Sequence, residues 1–269
     1  MAIRDITLGQ YFPASSPVHS LDPRTKIGGT VLFLASLFVA SNFTGFAFAA
    51  ACLGAVVIVS KVPFSYMARG LKPVMFLIVL TMLINLFLTP GEIIWTLGPL
   101  KVAREGISRA AFMAIRLTLL IFGSSLMTLT TKPIQLTDGM EAIMKPFEKI
   151  GLPAHEIAMM MSIALRFIPT LMDETDKIMK AQTARGADFE SGGLVKKAKN
   201  LVPLLVPLFV SAFRIAGDLA MAMEARCYKG GEGRTRMTPM RYRRRDAIAL
   251  ALLIAYLAAT VVVSRLNVF

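Results

Sequence analysis

The chain has 269 residues, 55% of them hydrophobic and only 17% charged, with a formal net charge of +13. Soluble domains run nearer about 45–50% apolar and 25% charged, so this composition excludes an ordinary water-soluble enzyme and points to a membrane protein. Nucleic acid is not indicated, because the basic residues flank hydrophobic spans and do not alternate with aromatic ones.

The N-terminal "MAIRDITLGQYF" has no apolar core of the secretory kind, so no cleaved signal peptide is expected. Residues 27–60 carry no charge and are interrupted by "ASNFTG" at 40–45. A hydrocarbon core of ~30 Å takes about 20 residues of helix, so this run reads as two helices joined by a tight turn. A third apolar run extends from Val74 to about Leu88 and is stopped by Pro90-Gly91. A fourth covers roughly 107–131, with Arg109 and Arg116 on one helical face near its start. Arg116 reads either as part of a substrate or proton path or as a snorkelling side chain near a helix end. From Lys132 to about Asp246 charges recur every few residues, and 247–264 is a last uncharged span. The expected fold is an all-α membrane protein with about five transmembrane helices. A cytoplasmic layer of long amphipathic helices lies between spans four and five. The expected organisation is 1–131 for the N-terminal arm and four spans, 132–246 for the helical layer, and 247–269 for the last span and tail.

Orientation follows from the loops. Arg4, Arg24 and Lys26 precede the first span, and Lys61, Arg69 and Lys72 link the second to the third. The first turn has no basic residue, and Arg265 alone follows the last span. Lys/Arg excess marks the cytoplasmic side, so the N-terminus and 132–246 are expected inside the cell membrane and the C-terminus outside. "GRTRMTPMRYRRRD" at 233–246 places six arginines beside the last span, an anchor for anionic lipid headgroups.

Within 132–246, a short amphipathic stretch at 133–150 comes first. Ile157, Met160, Met161, Ala164, Leu165, Ile168 and Met172 then form the i, i+3, i+4, i+7 stripe of an amphipathic helix. A second long helix begins near Leu194. Its apolar stretch, Leu201–Phe213, is too short to cross a bilayer and is expected at the membrane face or against the spans. Pro169, Pro203 and Pro207 should kink these helices or reset their starts. Both end alike, in "AQTARGADF" at 181–189 and "AMEARCYKGG" at 222–231. An arginine in a last helical turn suits the negative end of the macrodipole, but that explains each end singly and not the repetition.

Motifs for chemistry are sparse. No GxxxxGK[ST] occurs, so no Walker A nucleotide site is expected, and "HEIAM" at 155–159 lacks the second His of a zincin. Cys52 and Cys227 form neither a CxxC motif nor a disulfide framework. "DETD" at 173–176 has the flavour of a Mg²⁺-diphosphate site but lacks a second acidic cluster, so it reads as a solvated helix face. A planar guanidinium at a helix end can plug an acidic groove through charge-assisted bonds. Two such plugs call for two similar sockets, as in a dimer of ATPases. Two other classes are kept beside this reading, a Mg-dependent prenyltransferase-like membrane enzyme and a self-contained secondary transporter. No internal repeat of spans supports the latter.

The chain resembles the transmembrane T component (EcfT family) of energy-coupling-factor transporters, the vitamin and trace-metal importers related to ABC transporters. The carriers are "HSLDPRTK" at 19–26, "TLTTKPIQLTDGME" at 128–141, "ALRFIPTL" at 164–171, "AQTARGADF" at 181–189 and "AMEARCYKGGEGRTR" at 222–236. The resemblance implies a transducer that is not itself an enzyme and carries no cofactor of its own. ATP and Mg are held by two partner ATP-binding subunits, and a separate membrane S component binds the transported molecule. It implies that Ala184, Arg185 and Gly186 end one coupling helix and Ala225, Arg226 and Cys227 the other, each arginine docking in one ATPase. Cys227 departs from the family's Gly, and a side chain there is costly in a left-handed cap. Met159, Met160, Met161, Met172, Met179, Met221 and Met223 are expected to contact the S component, since flexible Met suits surfaces that accept several partners.

Overall fold

A computed structural model describes residues 11–40, 42–97, 100–189, 193–230 and 240–265. Arg4 and the 231–239 part of the arginine-rich segment lie outside the described residues. The chain divides into two compact units, one of residues 9–143 with 239–269, the other mainly 144–238.

The first unit opens with α1 (Pro23–Val39) and α2 (Phe43–Ser60). Asp22 caps α1 by accepting the Arg24 N–H at 3.0 Å, and Pro23 takes the first helical position, where its missing N–H costs nothing. Helix α1 ends at Val39 and α2 begins at Phe43, where "ASNFTG" predicts a turn. Next come α3 (Phe64–Leu71) and α4 (Met75–Leu88), which follow each other with only a 3₁₀ turn between them. A hairpin of β1 (Ile93–Leu97) and β2 (Leu100–Ala103) leads into α5 (Arg104–Thr130). The unit is completed by α6 (Pro133–Met144), whose Gly139 lies against Pro23 and Ile27 of α1, and by α10 (Arg244–Arg265).

Buried Leu37, Phe46, Ala49, Leu53, Leu119 and Leu126 from α1, α2 and α5 form the main core. Tyr256 of α10 joins it by stacking on Phe48 at 5.7 Å and bonding the Ser36 hydroxyl at 2.7 Å. Helix α4 packs tightly on α5 at Gly106, where a Cβ would sit 2.8 Å from the Leu86 carbonyl oxygen. Only glycine permits that approach. Outward faces remain apolar, with Ile58 80% and Phe76 77% exposed, as suits helices whose solvent is lipid. Arg116 is engaged within the unit. Its Nη2 donates to the Ala40 carbonyl at 3.3 Å, and its guanidinium lies over Phe38 and Phe46, closing the α1–α2 turn from within.

The second unit contains α7 (Ala154–Ala184), α8 (Leu194–Asn200) and α9 (Val202–Ala225). Few of its described residues are buried, chiefly Ala154, Ala158 and Leu204, so it has little core of its own. Pro169 lies inside α7 and Pro207 inside α9, while Pro203 occupies the first turn of α9. The apolar stretch Leu201–Phe213 does not end where its helix ends. The apolar stretch is part of a helical window, Ala198–Ala225, of 28 residues that is long and apolar enough to cross a membrane. Five such helices are found among the described residues: α2, α3–α4, α5, α8–α9 and α10. Helix α1, with 17 residues, is at the lower end of the length that crosses a hydrocarbon core.

Candidate functional site

The two Ala-Arg ends fold identically. In α7, the Gly186 N–H bonds the Thr183 carbonyl at 3.0 Å and the Ala187 N–H bonds that of Gln182 at 3.0 Å. In α9, the Cys227 N–H bonds the Glu224 carbonyl at 2.8 Å and the Tyr228 N–H bonds that of Met223 at 3.1 Å. Each pair of bonds is a Schellman cap, with the arginine as the last residue before a left-handed turn. The left-handed residue is Gly186 at φ +87° in one and Cys227 at φ +55° in the other. Cys at this position therefore keeps the helix-end geometry. Its Cβ makes the conformation costly, so Cys227→Gly is expected to stabilise this end by about 1 kcal/mol. Slower amide hydrogen exchange at Arg226–Tyr228 would register the gain; unchanged exchange would contradict it.

Because the caps satisfy the last carbonyls through the backbone, the arginine side chains are not needed as caps. Arg185 and Arg226 are both exposed, and neither guanidinium has a partner among the described residues. Cys227, also exposed, is a free thiol. The geometry offers two fixed, solvated cations, each at the negative pole of a long helix.

The unit holds these ends apart. The Asn200 amide donates to the Asp188 carbonyl at 2.6 Å, placing the α8–α9 junction beside the end of α7. From there α9 runs back along α7, where the Ser211 hydroxyl donates to Glu174 Oε1 at 3.2 Å. Arg226 therefore lies a helix length from Arg185. The 24 residues of α9 rise about 36 Å at 1.5 Å each. Spin labels at positions 184 and 225, with Cys52 and Cys227 replaced, are expected to give a distance of about 30–40 Å. A distribution centred below about 20 Å would contradict the arrangement.

The remaining sequence-derived residues are dispersed along the same helices. Met160 and Met221 are exposed at 59% and 62%, while Met159, Met161, Met172, Met179 and Met223 are half-buried. On α9, Leu205, Phe209 and Phe213 are also exposed, at i, i+4 spacing. Within "DETD", Glu174 accepts the Ser211 bond and lies 3.7 Å from Lys177, so this carboxylate ties α7 to α9.

A polar node in the first unit escapes sequence reasoning. Lys26, buried at the head of α1, donates to the carbonyls of Thr130 at 2.8 Å and His19 at 3.0 Å. Asp246, 1% exposed, accepts the Asp22 N–H on Oδ1 at 2.7 Å and the Arg243 N–H on Oδ2 at 2.8 Å. His19 Nε2 donates to the Phe12 carbonyl at 3.0 Å, and its Nδ1 meets the Ser16 hydroxyl at 2.7 Å. Burial is the largest influence on the imidazole and lowers its pKa against the opposing Phe12 bond, with the Lys26 charge lowering it further. The node ties the N-terminal arm to α1, the end of α5 and the start of α10. In the sequence, "HSLDPRTK" carried the only signal, a cluster of polar residues at the mouth of an uncharged run.

Comparison with known proteins adds family to geometry. The family model described as CbiQ, cobalt transport protein, matches residues 14–237. The chain is 59% identical over 247 residues to the energy-coupling factor transporter transmembrane protein EcfT of Thermosediminibacter oceani, covering 92% of this chain and 93% of that one. It is 57% identical over 251 residues to the protein of the same name from Clostridium kluyveri, covering 92% of each. Against that from Acidaminococcus fermentans it is 51% identical over 261 residues, covering 95% of this chain and 97% of the other.

Proposed function

The chain belongs to the EcfT family of energy-coupling factor transporter transmembrane proteins, and from that membership we propose that it couples two cytoplasmic ATP-binding subunits to a membrane S component for vitamin or micronutrient uptake. It is a multi-pass membrane protein of a transporter. In this reading ATP and Mg are bound and hydrolysed by the partner subunits. Arg185 and Arg226 each fill an acidic groove of one subunit, and movement of α7 and α9 reorients the S component. The observation that carries the reading is the pair of matching Schellman ends, each presenting an exposed arginine with no partner among the described residues. Twin ends about 36 Å apart suit two copies of one socket better than a single ligand site.

The orientation follows the same logic: the N-terminus and the helix ends face the cytoplasm, where ATP is, and the C-terminus faces outward. The S component is a hydrophobic membrane protein, and the exposed Leu205, Phe209, Phe213, Met160 and Met221 form the surface proposed to meet it. Replacing Met159, Met160 and Met161 by the stiffer Ile is expected to narrow the range of S components accepted while ATPase binding stays intact. Equal weakening of all S components would reduce the Met run to ordinary packing. For the function as a whole, affinity purification of the tagged chain from its own membranes should bring down two ATP-binding subunits and at least one further membrane protein. Recovery of the chain alone, with substrate uptake independent of ATP, would instead support a self-contained transporter.

A further inference from the structure

A cavity of about 640 Å³ lies within the first unit, bounded by α1, α2, α5, α10 and the turn before α1. Its size is that of a small-molecule site. The body of the cavity is apolar, with Phe33, Leu53, Leu126 and Leu253 among its lining side chains, and cationic groups lie at the helix ends that close it, Lys26 and Arg245. Among its wall residues, Val56, Val59, Ile248 and Leu252 are also exposed on the outer face of the unit. The cavity is therefore continuous with the surface that meets hydrocarbon.

The charges at the closed end are not fully used. Lys26 has three N–H donors, and its two hydrogen bonds go to the His19 and Thr130 carbonyls, leaving one donor without an acceptor among the described residues. Arg245 uses Nη1 on the Ser20 hydroxyl at 3.1 Å, with no other partner among the described residues. The nearby carboxylate of Asp246 accepts backbone N–H groups on both oxygens, and neither it nor Asp22 lines the cavity. An apolar slot with spare cationic donors at one end complements one kind of molecule found in a bilayer, an apolar chain ending in an anion.

We propose that this cavity is a binding site for an anionic phospholipid, with one acyl chain between α1, α2, α5 and α10 and the phosphate against Lys26 and Arg245. The lipid would fill the space between four helices and complete the polar node, serving as a resident part of the fold beyond the annular layer. Arg245 is one of the six arginines of the 233–246 segment, a charge run suited to anionic headgroups.

The test uses the full chain in nanodiscs and phosphatidylglycerol carrying a photoactivatable group on one acyl chain, with the same tail on phosphatidylcholine as comparison. Adducts on the cavity-lining Cys52, Met127 and Tyr256 are expected with phosphatidylglycerol, and about tenfold fewer with phosphatidylcholine. Arg245→Gln, an exposed change, should lower the inner adducts with phosphatidylglycerol by a similar factor. Gly29→Leu supplies a second variant that should still fold, because a Cβ at Gly29 meets only Leu253, at 4.0 Å, and Leu favours helix. Its side chain would occupy the cavity and should abolish the inner adducts while those on outward Phe76 and Leu88 persist. Equal inner labelling by both lipids, inner labelling that survives Gly29→Leu, or adducts confined to outward faces would overturn the proposal.

Discussion

Substituting Glu for both Arg185 and Arg226 is expected to leave the chain folded in the membrane and to remove ATPase recruitment and ATP-dependent uptake together. Both side chains are exposed, and the caps beneath them are made by backbone groups, so the helix ends should form without them. Losing one partner of a docked, charge-assisted pair costs about 2–5 kcal/mol, much of it from the charge left unpaired in the groove. Each single Arg→Ala should then weaken docking by a factor of about thirty or more. Charge reversal should be worse, because a carboxylate would face an acidic groove. The two sites lie far apart, so the losses should be independent and the double variant close to inactive. Near-normal copurification and uptake by the double Glu variant would leave the arginines as surface charges at helix ends.

Asp246→Ala should produce the opposite pattern, a failure of folding with intact helix ends. Asp246 is almost wholly buried and accepts two backbone N–H groups that its loss would strand, those of Asp22 and Arg243. The Lys26 ammonium would also lose a nearby negative charge. Breaking a buried charged network in this way typically costs about 3–5 kcal/mol. Asp246→Asn keeps one acceptor oxygen and should lose less. Thermal unfolding of the purified chain gives the comparison. A loss within about 0.5 kcal/mol for the Ala variant, the range of ordinary surface changes, would contradict the structural role given to the node.

The arrangement of helices was largely legible because its signals are local. The uncharged run from 27 to 60, too long for one crossing and broken by a polar turn, predicts α1 and α2. The 3.6-residue stripe predicts α7, and the repeated Ala-Arg predicts where α7 and α9 stop. What the sequence did not disclose depends on pairings between distant residues. Lys26 reads as a topology charge and Asp246 as the edge of the charged region, yet both are buried through bonds to Thr130 and Asp22, contacts that no periodicity encodes. Arg116 likewise bonds the Ala40 carbonyl, in the turn after α1 and 76 residues away in sequence. The β1–β2 hairpin was missed because its strands are too short to establish an alternating pattern beside such apolar helices. The length of α9 is likewise not read from its apolar run, Leu201–Phe213. Arg214 and Asp218 end the apolar run but not the helix, which continues to Ala225.

The central claim is that each arginine end docks in its own ATP-binding subunit, and crosslinking tests it most directly. A photoreactive amino acid placed at position 184 or at position 225, with Arg185 and Arg226 retained, should crosslink in native membranes to a cytoplasmic ATP-binding subunit. The two positions should label two different subunits of the same complex, and adding Arg185→Glu should abolish only the adduct from position 184. Adducts confined to lipid or to the chain itself, or one subunit captured from both positions, would contradict the account.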